Sequence, residues 1–499
     1  MAPLPDSVDL LIIGGGINGV GVARDAAGRG LSVALVESGD LACATSSASS
    51  KLIHGGLRYL EFGDFRLVSE ALAEREVLMG VAPHLVRPML FVLPHDRSLR
   101  PRWMLRLGLY LYDHLGRRKR LPASRRIDPR HDPLGLALRR DIEAAFVYAD
   151  CQVDDARLVI ANARDAAKRG AHILAHTEFA GAIRQNGRWR AVLRRSDGAE
   201  TVTMARVLVN AAGPWAMEIA QRCGAAPQDA ALRLVKGSHI VVPRLYDGNH
   251  AYILQNDDRR IVFVLPFEEE FTLIGTTEVP FAGDPRAVEI SPEEETYLCR
   301  AVSRWFAKPL TANAILWRYA GVRPLYEDHA KNASAVTRDY VLTLDAPPGG
   351  APILSVLGGK ITTYRRLAEH VLERLGPFVA ASGGPWTSGA PLPGGNVADS
   401  AAAEKAVSDA YPWLADFTCR RLGRSYGSEA VAVLGDARSA ADLGQEFGAG
   451  LTAREAEFMR VQEWAETVDD IIWRRSKLGL RLSPAERDRL AAYLGETKY

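Results

Sequence analysis

The first motif in the chain is Val8-Asp9-Leu10-Leu11-Ile12-Ile13-Gly14-Gly15-Gly16-Ile17-Asn18-Gly19, an apolar strand that runs directly into a glycine-rich turn. A helical pattern follows to Arg29, and a second apolar strand, Val33-Ala34-Leu35-Val36, stops at Glu37. Strand, glycine turn, helix, strand and acid in this order are typical of a dinucleotide-binding βαβ unit. The segment therefore predicts a dinucleotide site, although glycine turns also follow strands in loops that hold no ligand.

Each glycine of this motif has a predicted task. Gly14 permits the tight turn, Gly16 lets the backbone approach a pyrophosphate, and Gly19 lets the helix pack closely against the strand. Glu37 would accept hydrogen bonds from a ribose diol, and Ser38 beside it offers no positive charge for a 2′-phosphate. The motif therefore favours NAD or FAD over NADP.

The composition is that of an ordinary globular protein, with 499 residues of which 47% are hydrophobic and 24% charged. The 62 basic and 60 acidic residues leave a net charge of +2, which argues against nucleic-acid binding. The five cysteines form no Cys-x-x-Cys pair, so we predict a reducing compartment and no metal site. No stretch reaches the ~18 apolar residues of a membrane-spanning helix, and the N-terminal apolar run is a strand, not a signal peptide.

Residues 44–59 combine a dense run of hydroxyl side chains with a charged end, Lys-x-x-His-Gly-Gly-x-Arg-Tyr. Short hydroxyl side chains and backbone N–H groups suit pyrophosphate oxygens, so Thr45, Ser46 and Ser50 are candidate cofactor contacts. His54 and Arg58 bring charge to an adjoining pocket. A flexible linker is the alternative interpretation of the hydroxyl run.

Residues 12–61 resemble the FAD-dependent respiratory (aerobic) glycerol-3-phosphate dehydrogenases, and residues 44–59 are close to that family's most specific signature. The resemblance covers nearly the whole chain and implies FAD as the cofactor. It implies an α/β fold: an FAD-binding Rossmann-like domain of the D-amino-acid-oxidase/glutathione-reductase type, an antiparallel β-sheet substrate (cap) domain and a C-terminal all-helical domain. We expect the FAD-binding domain at 1–80, 141–228 and 320–382, the cap at 81–140 and 229–319, a linker at 383–397, and the helical domain at 398–499.

Two later strand-to-helix turns also point to a cofactor. One strand ends in Asn210-Ala211-Ala212-Gly213, and another ends in Gly358-Gly359-Lys360 before a helix that runs to Leu375. Small residues let the backbone approach a dinucleotide, and a helix N-terminus would stabilise the anionic edge of a reduced flavin. An ordinary turn and a solvated lysine are the alternatives. The candidate cofactor contacts in these turns are Gly213, Gly358, Gly359 and Lys360.

A basic segment at 97–130 surrounds an apolar and aromatic stretch, with Arg97, Arg100, Arg102 and Arg106 before or within it and Arg117-Arg118-Lys119-Arg120 behind it. An amphipathic helix lying in an anionic membrane surface fits this pattern. A buried helix followed by a solvated basic loop fits it as well. Near-zero net charge makes nucleic-acid binding the weakest interpretation.

The chemistry implied by the resemblance is the oxidation of sn-glycerol 3-phosphate to dihydroxyacetone phosphate by hydride transfer to flavin N5 while a base takes the hydroxyl proton. A phosphate dianion requires fixed cations, for which arginine is suited. The period-two pattern between residues 232 and 285 predicts the antiparallel sheet, and His239 is its most notable polar residue. The substrate ligands would be Arg58, Arg323 and Arg338, and the catalytic candidates are His239, then His54, and Lys360.

The sequence contains no second dinucleotide fingerprint, so we expect electrons to enter from a small substrate. We predict transfer to a membrane quinone by a cytoplasmic protein that is peripherally associated with the inner face of the cytoplasmic membrane. A homodimer is left open. The alternatives are a glycerol-3-phosphate oxidase that uses oxygen, an FAD amine or 2-hydroxyacid oxidase, and a non-catalytic flavin-binding module.

Overall fold

The computed structural model describes residues 4–96, 101–116, 120–225, 231–258, 260–327 and 339–495. Its strands are β1 (Ser7–Ile13), β2 (Val33–Val36), β3 (Leu52–Ile53), β4 (Val86–His95), β5 (Arg125–Ile127), β6 (Ala144–Val153), β7 (His172–Leu174), β8 (Thr177–Gln185), β9 (Arg188–Arg195), β10 (Glu200–Asn210), β11 (Leu232–Pro243), β12 (Ala251–Gln255), β13 (Ile261–Phe267), β14 (Phe271–Gly275), β15 (Val279–Pro280), β16 (Trp317–Tyr326), β17 (Tyr340–Asp345), β18 (Ile353–Gly358), β19 (Glu446–Gly448) and β20 (Leu451–Thr452). Its α-helices are α1 (Ile17–Gly28), α2 (Phe65–Val81), α3 (Arg102–Leu115), α4 (Asp155–Lys168), α5 (Ala216–Arg222), α6 (Pro292–Trp305), α7 (Tyr364–Leu375), α8 (Ser400–Ala410), α9 (Asp416–Tyr426), α10 (Ala430–Leu434), α11 (Ala453–Glu463) and α12 (Pro484–Leu494).

A parallel sheet in the order β18-β10-β1-β2-β7 forms the first layer, with β17 antiparallel beside β18. In β1, Leu10 and Ile12 pack against the core that contains α1, α4 and α7. Leu11 and Ile13 face the opposite side, where the β8–β9 hairpin packs. Burial on both faces is why this strand is apolar without alternation. The predicted dinucleotide-binding βαβ start is confirmed.

A second sheet has the order β15-β11-β14-β13-β12-β4-β6-β3, with β16 beside β11 and β5 beside β6. Its neighbours are antiparallel except for β4 and β12. Along β11, Ile240 and Val242 pack against α6, whereas Val241 faces the core that contains α2 and α3. The period-two pattern therefore predicted this antiparallel sheet correctly.

Two strands near the expected domain boundaries belong to the antiparallel sheet. β6 begins after residue 141, where the FAD-binding domain was expected to resume, but it pairs with β4 along its whole length. β16 crosses residue 320 and pairs with β11. β6 is almost fully buried, so its sequence, AAFVYADCQV, shows no alternation of apolar and polar residues that would mark it as a strand of an antiparallel sheet. The sheet to which β6 belongs depends on pairing strands that are distant in sequence, and the sequence pattern of β6 does not specify those strands.

The C-terminal domain packs α8 to α12 around a core of its own. The domain is helical, as expected, and it also contains the short β19–β20 hairpin. The expected linker at 383–397 contacts the FAD-binding domain, because Trp386 lies against the guanidinium groups of Arg24 and Arg169 at 4.9 and 3.9 Å from its ring centre.

The basic segment contains α3, whose Leu109 and Tyr112 are buried. Trp103, Leu107 and Tyr110 are 66%, 50% and 57% exposed. The structure therefore does not support the alternative of a buried helix. Arg97, Arg100 and residues 117–119 lie outside the described residues. Within the described ranges, no helix is both long and apolar enough to cross a bilayer.

Candidate functional site

A cavity of about 1270 Å³ lies along the carboxyl ends of the parallel strands and reaches the antiparallel sheet. Gly14 follows β1, Glu37 follows β2, Ala211 follows β10, and Gly358 ends β18, and all four line the cavity. Ligands in open α/β sheets bind at this edge. The predicted strand-to-helix turns are thus brought together around one space.

The glycine turn leaves no room for side chains at two positions. Gly14 has a φ of +112°, and a Cβ atom there would lie 2.5 Å from the Ala211 carbonyl oxygen. A Cβ atom on Gly19 would lie 1.9 Å from the Gly14 carbonyl oxygen. Gly16 lines the cavity at the N-terminus of α1. This geometry presents the helix N-terminus to the cavity, as an anion-binding site requires.

Glu37 and the hydroxyl run line the cavity but also hold the turn in place. Glu37 accepts hydrogen bonds from the backbone N–H groups of Gly15 at 2.7 Å and Gly39 at 2.9 Å. The Ser46 hydroxyl oxygen accepts one from the Ile17 N–H at 2.9 Å. Thr45 donates to the Val322 carbonyl at 2.6 Å. The hydroxyl run is therefore a packed wall of the cavity rather than a flexible linker.

Asn18 was not singled out in the sequence, although it lies inside the glycine motif. Its Nδ2 donates to the Gly358 carbonyl at 3.3 Å. Its Oδ1 is buried and has no hydrogen-bond partner among the described residues. Buried acceptors in proteins are normally satisfied, so an acceptor in a cavity wall indicates a ligand donor. Together with the glycine cradle, this atom fits a dinucleotide such as FAD; Gly213, Gly358 and Gly359 line the same cavity with positive φ angles.

His239 of β11 is positioned by contacts with three other parts of the chain. Its Nε2 lies 2.9 Å from the Ser50 hydroxyl oxygen, and its ring stacks on Tyr319 at 4.7 Å. Opposite it on β14, a Cβ atom on Gly275 would lie 2.0 Å from His239 Cδ2, so only glycine fits. Burial lowers the pKa of His239 well below its usual value, and the charges of Lys51 and Arg323 lower it further. The imidazole is therefore neutral at pH 7.

His54 and Lys360 also line the cavity. The backbone N–H of His54 donates to the Thr362 hydroxyl at 3.4 Å, which connects it to the turn just before α7. Lys360 Nζ lies 3.9 Å from the ring centre of Tyr59. A lysine ammonium group in this position is attracted by the electron-rich face of the ring.

Arg58 and Arg323 converge on a carboxylate that the sequence did not reveal. Arg58 Nη1 lies 3.6 Å from Glu278 Oε2, and Arg323 Nη1 lies 4.0 Å from Glu278 Oε1. Arg323 Nη2 also donates to the Thr277 carbonyl at 2.8 Å. Arg323 lines the cavity, and Arg58 precedes Tyr59, which does so too. Arg338, the third expected arginine, lies outside the described residues.

The C-terminal domain also reaches the cavity. Residues 469–480 were not among the site residues predicted from the sequence. Trp473, Arg474 and Lys477 nevertheless line the same cavity as the glycine turn. The basic and aromatic character of this segment was the available signal, but nothing local indicated which surface it would meet.

Comparison with known proteins identifies the family of this chain. Residues 9–365 match the FAD dependent oxidoreductase family. The chain is 53% identical to a glycerol-3-phosphate dehydrogenase of Pseudomonas aeruginosa, covering 99% of this chain and 96% of the relative. It is 49% identical to a D-erythritol 1-phosphate dehydrogenase of Brucella abortus, covering 97% of each chain.

A solved structure shares the architecture over the whole chain. The glycerol-3-phosphate dehydrogenase of Bacillus halodurans complexed with FAD superimposes with a TM-score of 0.75 at 26% identity, covering 99% of this chain and 92% of that one. The fold and the sequence relatives lead to the same conclusion: this chain belongs to the FAD-dependent glycerol-3-phosphate dehydrogenase family, and its cofactor is FAD.

Proposed function

We propose that this enzyme oxidises sn-glycerol 3-phosphate to dihydroxyacetone phosphate. The observation that carries the proposal is the convergence of Arg58 and Arg323 on Glu278. Of these three residues Arg323 lines the cavity, and His239 lines it too. Two guanidinium groups beside one carboxylate leave an excess of positive charge. Such a site suits a phosphate dianion better than a neutral alcohol or an amine.

The arginines would bind and orient the phosphate group. Their planar donors give it a fixed direction, which places the secondary alcohol of the substrate at a defined point in the cavity. FAD bound along the glycine turn supplies the acceptor for the substrate's hydride. The third arginine, Arg338, remains a candidate on the strength of the sequence resemblance alone.

His239 is our first candidate for the base. Its low pKa keeps it neutral, so a ring nitrogen has a lone pair for the hydroxyl proton. Nε2 faces Ser50, and Nδ1 is buried with no partner within the described ranges. His54 is the second candidate because it lines the same cavity. Lys360 would instead stabilise negative charge at the flavin edge or the substrate oxygen.

A longer polyol phosphate is a second candidate substrate. The specific observation is the relative named D-erythritol 1-phosphate dehydrogenase, which is 49% identical over nearly the whole length. Glycerol 3-phosphate and D-erythritol 1-phosphate share the phosphate and a secondary alcohol. The arginine clamp described above would hold either phosphate, so the choice depends on the space around the carbon chain.

We propose that the electron acceptor is a membrane quinone and that the enzyme reaches this quinone by binding to an anionic membrane surface. The exposed Trp103, Leu107 and Tyr110 follow one another at intervals of four and three residues, so they share one face of α3. Trp103 also lines a groove of about 530 Å³ together with Arg102, Arg106, Arg125 and Arg126. Apolar side chains flanked by arginines are the pattern of a helix lying in an anionic interface.

An anaerobic titration of the purified holoenzyme tests the substrate. We expect sn-glycerol 3-phosphate to bleach the flavin absorbance and glycerol, which lacks the phosphate, to leave it unchanged. If only D-erythritol 1-phosphate bleaches the flavin, then it, and not sn-glycerol 3-phosphate, is the substrate. If neither compound bleaches the flavin, the proposed reaction is excluded. Reoxidation by a quinone analogue, compared with peroxide release in air, then separates a dehydrogenase from an oxidase.

A further inference from the structure

The loop at residues 37–50, which we call the cofactor loop, carries Glu37 and the hydroxyl run that line the cavity. Near its start is Asp40, whose residue is 3% exposed. Both carboxylate oxygens of Asp40 accept hydrogen bonds from Arg475, at 2.5 and 2.7 Å. Arg474 contacts the same carboxylate. The cofactor loop is thus held by two consecutive arginines of the C-terminal domain.

The same domain contacts the turn between β7 and β8. Arg474 pairs with Asp470, and Asp470 Oδ2 lies 3.5 Å from His176 Nε2. Asp40, His176 and Asp470 have the spacing of metal ligands. Their carboxylates are already paired with Arg474 and Arg475, so we interpret the group as an ion-pair network.

Two further contacts hold the segment Trp473 to Lys477 at the cavity wall. The ring of Trp473 stacks on Trp317 of β16 at 4.3 Å and 6°. Lys477 Nζ donates to Asp154, the N-cap residue of α4, at 3.0 Å. This segment lies beyond residue 365, where the match to the FAD dependent oxidoreductase family ends. It is therefore an addition to the family's matched region that reaches the cofactor cavity.

We propose that Arg474 and Arg475, in the segment that Trp473 and Lys477 fix in place, retain the cofactor: by holding Asp40 of the cofactor loop, they keep the loop closed along bound FAD and limit its release. The inference rests on FAD as the cofactor and not on the proposed substrate. The buried Asp40 requires these arginines, because an unpaired carboxylate at this site would favour a solvent-exposed arrangement of the loop. Opening of the loop would expose the cavity wall that Glu37, Thr45 and Ser46 form.

The test compares FAD dissociation from holoenzyme variants. Asp40→Asn removes the charge but keeps the shape, and Arg474→Gln removes one cation from a side chain that is 17% exposed. The matched control is Arg424→Gln, which removes a C-terminal arginine that pairs with Glu269 of the cap and does not line the cavity. Released flavin is measured by ultrafiltration after dilution, and helical circular dichroism reports folding.

We expect Asp40→Asn and Arg474→Gln to raise the FAD dissociation rate by about tenfold or more, the effect of losing one charge-assisted contact. On heating, both should release flavin below the temperature at which helical signal is lost. Arg424→Gln should release flavin at the wild-type rate, and Arg474→Lys should recover part of the loss. Unchanged dissociation in the folded variants, or an equal increase in Arg424→Gln, would overturn the proposal. If Asp40→Asn does not fold, Arg475→Lys decides, because Arg475 pairs with Asp40 and is not among the residues that line the cavity.

Discussion

The Ser50 hydroxyl oxygen lies 2.9 Å from Nε2 of His239. Ser50 ends the cofactor loop, and His239 belongs to β11 of the antiparallel sheet, so this contact joins the two halves of the cavity. Tyr319 reinforces it, because its ring stacks on His239 and its hydroxyl donates to the Ser49 carbonyl at 2.8 Å. The proposed base therefore has a fixed position before any substrate binds.

Replacing the proposed base should slow flavin reduction without releasing flavin. Because general-base catalysis contributes roughly 10²- to 10⁴-fold, we expect a loss in that range for His239→Asn, measured by anaerobic stopped-flow with sn-glycerol 3-phosphate. His131→Asn, at an exposed histidine, is the control. If His54→Asn shows the large loss and His239→Asn does not, the order of the two candidates is reversed.

The pH dependence of kcat/KM should reflect the lowered pKa of His239. Burial and the charges of Lys51 and Arg323 favour the neutral ring, so the acidic limb should fall below the usual histidine pKa of about 6.5. The unfolded chain takes up this proton at higher pH than the folded one. The neutral His239 ring therefore makes its full contribution to folding stability above about pH 6.5. This contribution is lost as the pH falls towards the pKa of His239 in the folded protein. An acidic limb above pH 6.5 that disappears in His239→Asn would contradict this assignment.

Removing the Arg323 guanidinium should weaken substrate use but leave FAD bound. A lost charge-assisted contact costs about 1.5–3 kcal/mol, which is roughly ten- to two-hundredfold in kcat/KM. Arg318→Ala is a matched control on the same strand, since Arg318 is 54% exposed and pairs with Glu295. Steady-state kinetics with a quinone analogue measures the effect. An Arg323→Ala enzyme with wild-type kcat/KM would remove Arg323 from the phosphate site.

Neutralising Glu278 should strengthen phosphate binding. The carboxylate lies within 4.0 Å of both Arg58 and Arg323, so it competes with a phosphate dianion for the same cations. We expect Glu278→Gln to lower the dissociation constant of sn-glycerol 3-phosphate by about threefold or more, which corresponds to ~0.7 kcal/mol. Titration calorimetry with the oxidised enzyme under conditions that prevent turnover, or inhibition by a phosphate analogue, measures it. Weaker binding would show that Glu278 instead orients the arginines.

Making the exposed face of α3 polar should reduce membrane binding. Trp103 and Leu107 are 66% and 50% exposed. Burying them in a membrane interface would stabilise membrane binding in proportion to the apolar surface area that they bury. We expect Trp103→Ser with Leu107→Ser to lower sedimentation with anionic vesicles at least about tenfold, a change of ~1.4 kcal/mol. The control is Val461→Ser, at a residue of the C-terminal domain that is 60% exposed. Equal loss in the control would argue against a dedicated face.

Some elements of the site could be predicted because their determinants are contiguous. The apolar run before Gly14, the acid at Glu37 and the hydroxyls at 45–50 each specify local backbone geometry, and the structure places them around one cavity. The antiparallel strands could likewise be predicted, from the alternation of apolar and polar residues along the sequence. The sheet that contains β6 could not be predicted, because a strand that is buried almost throughout shows no alternation of apolar and polar residues.

By itself, the sequence determined the dinucleotide-binding start, the two later glycine turns and the polar residues that could carry chemistry, since these depend on short-range sterics and periodicity. Only the tertiary structure decided that Ser50 meets His239, 189 positions away, that Arg58 and Arg323 share Glu278, and that Arg475 holds Asp40. Periodicity tells which face of an element is buried but not which distant element covers it. The partners of these charged and polar side chains therefore depend on how the domains pack together.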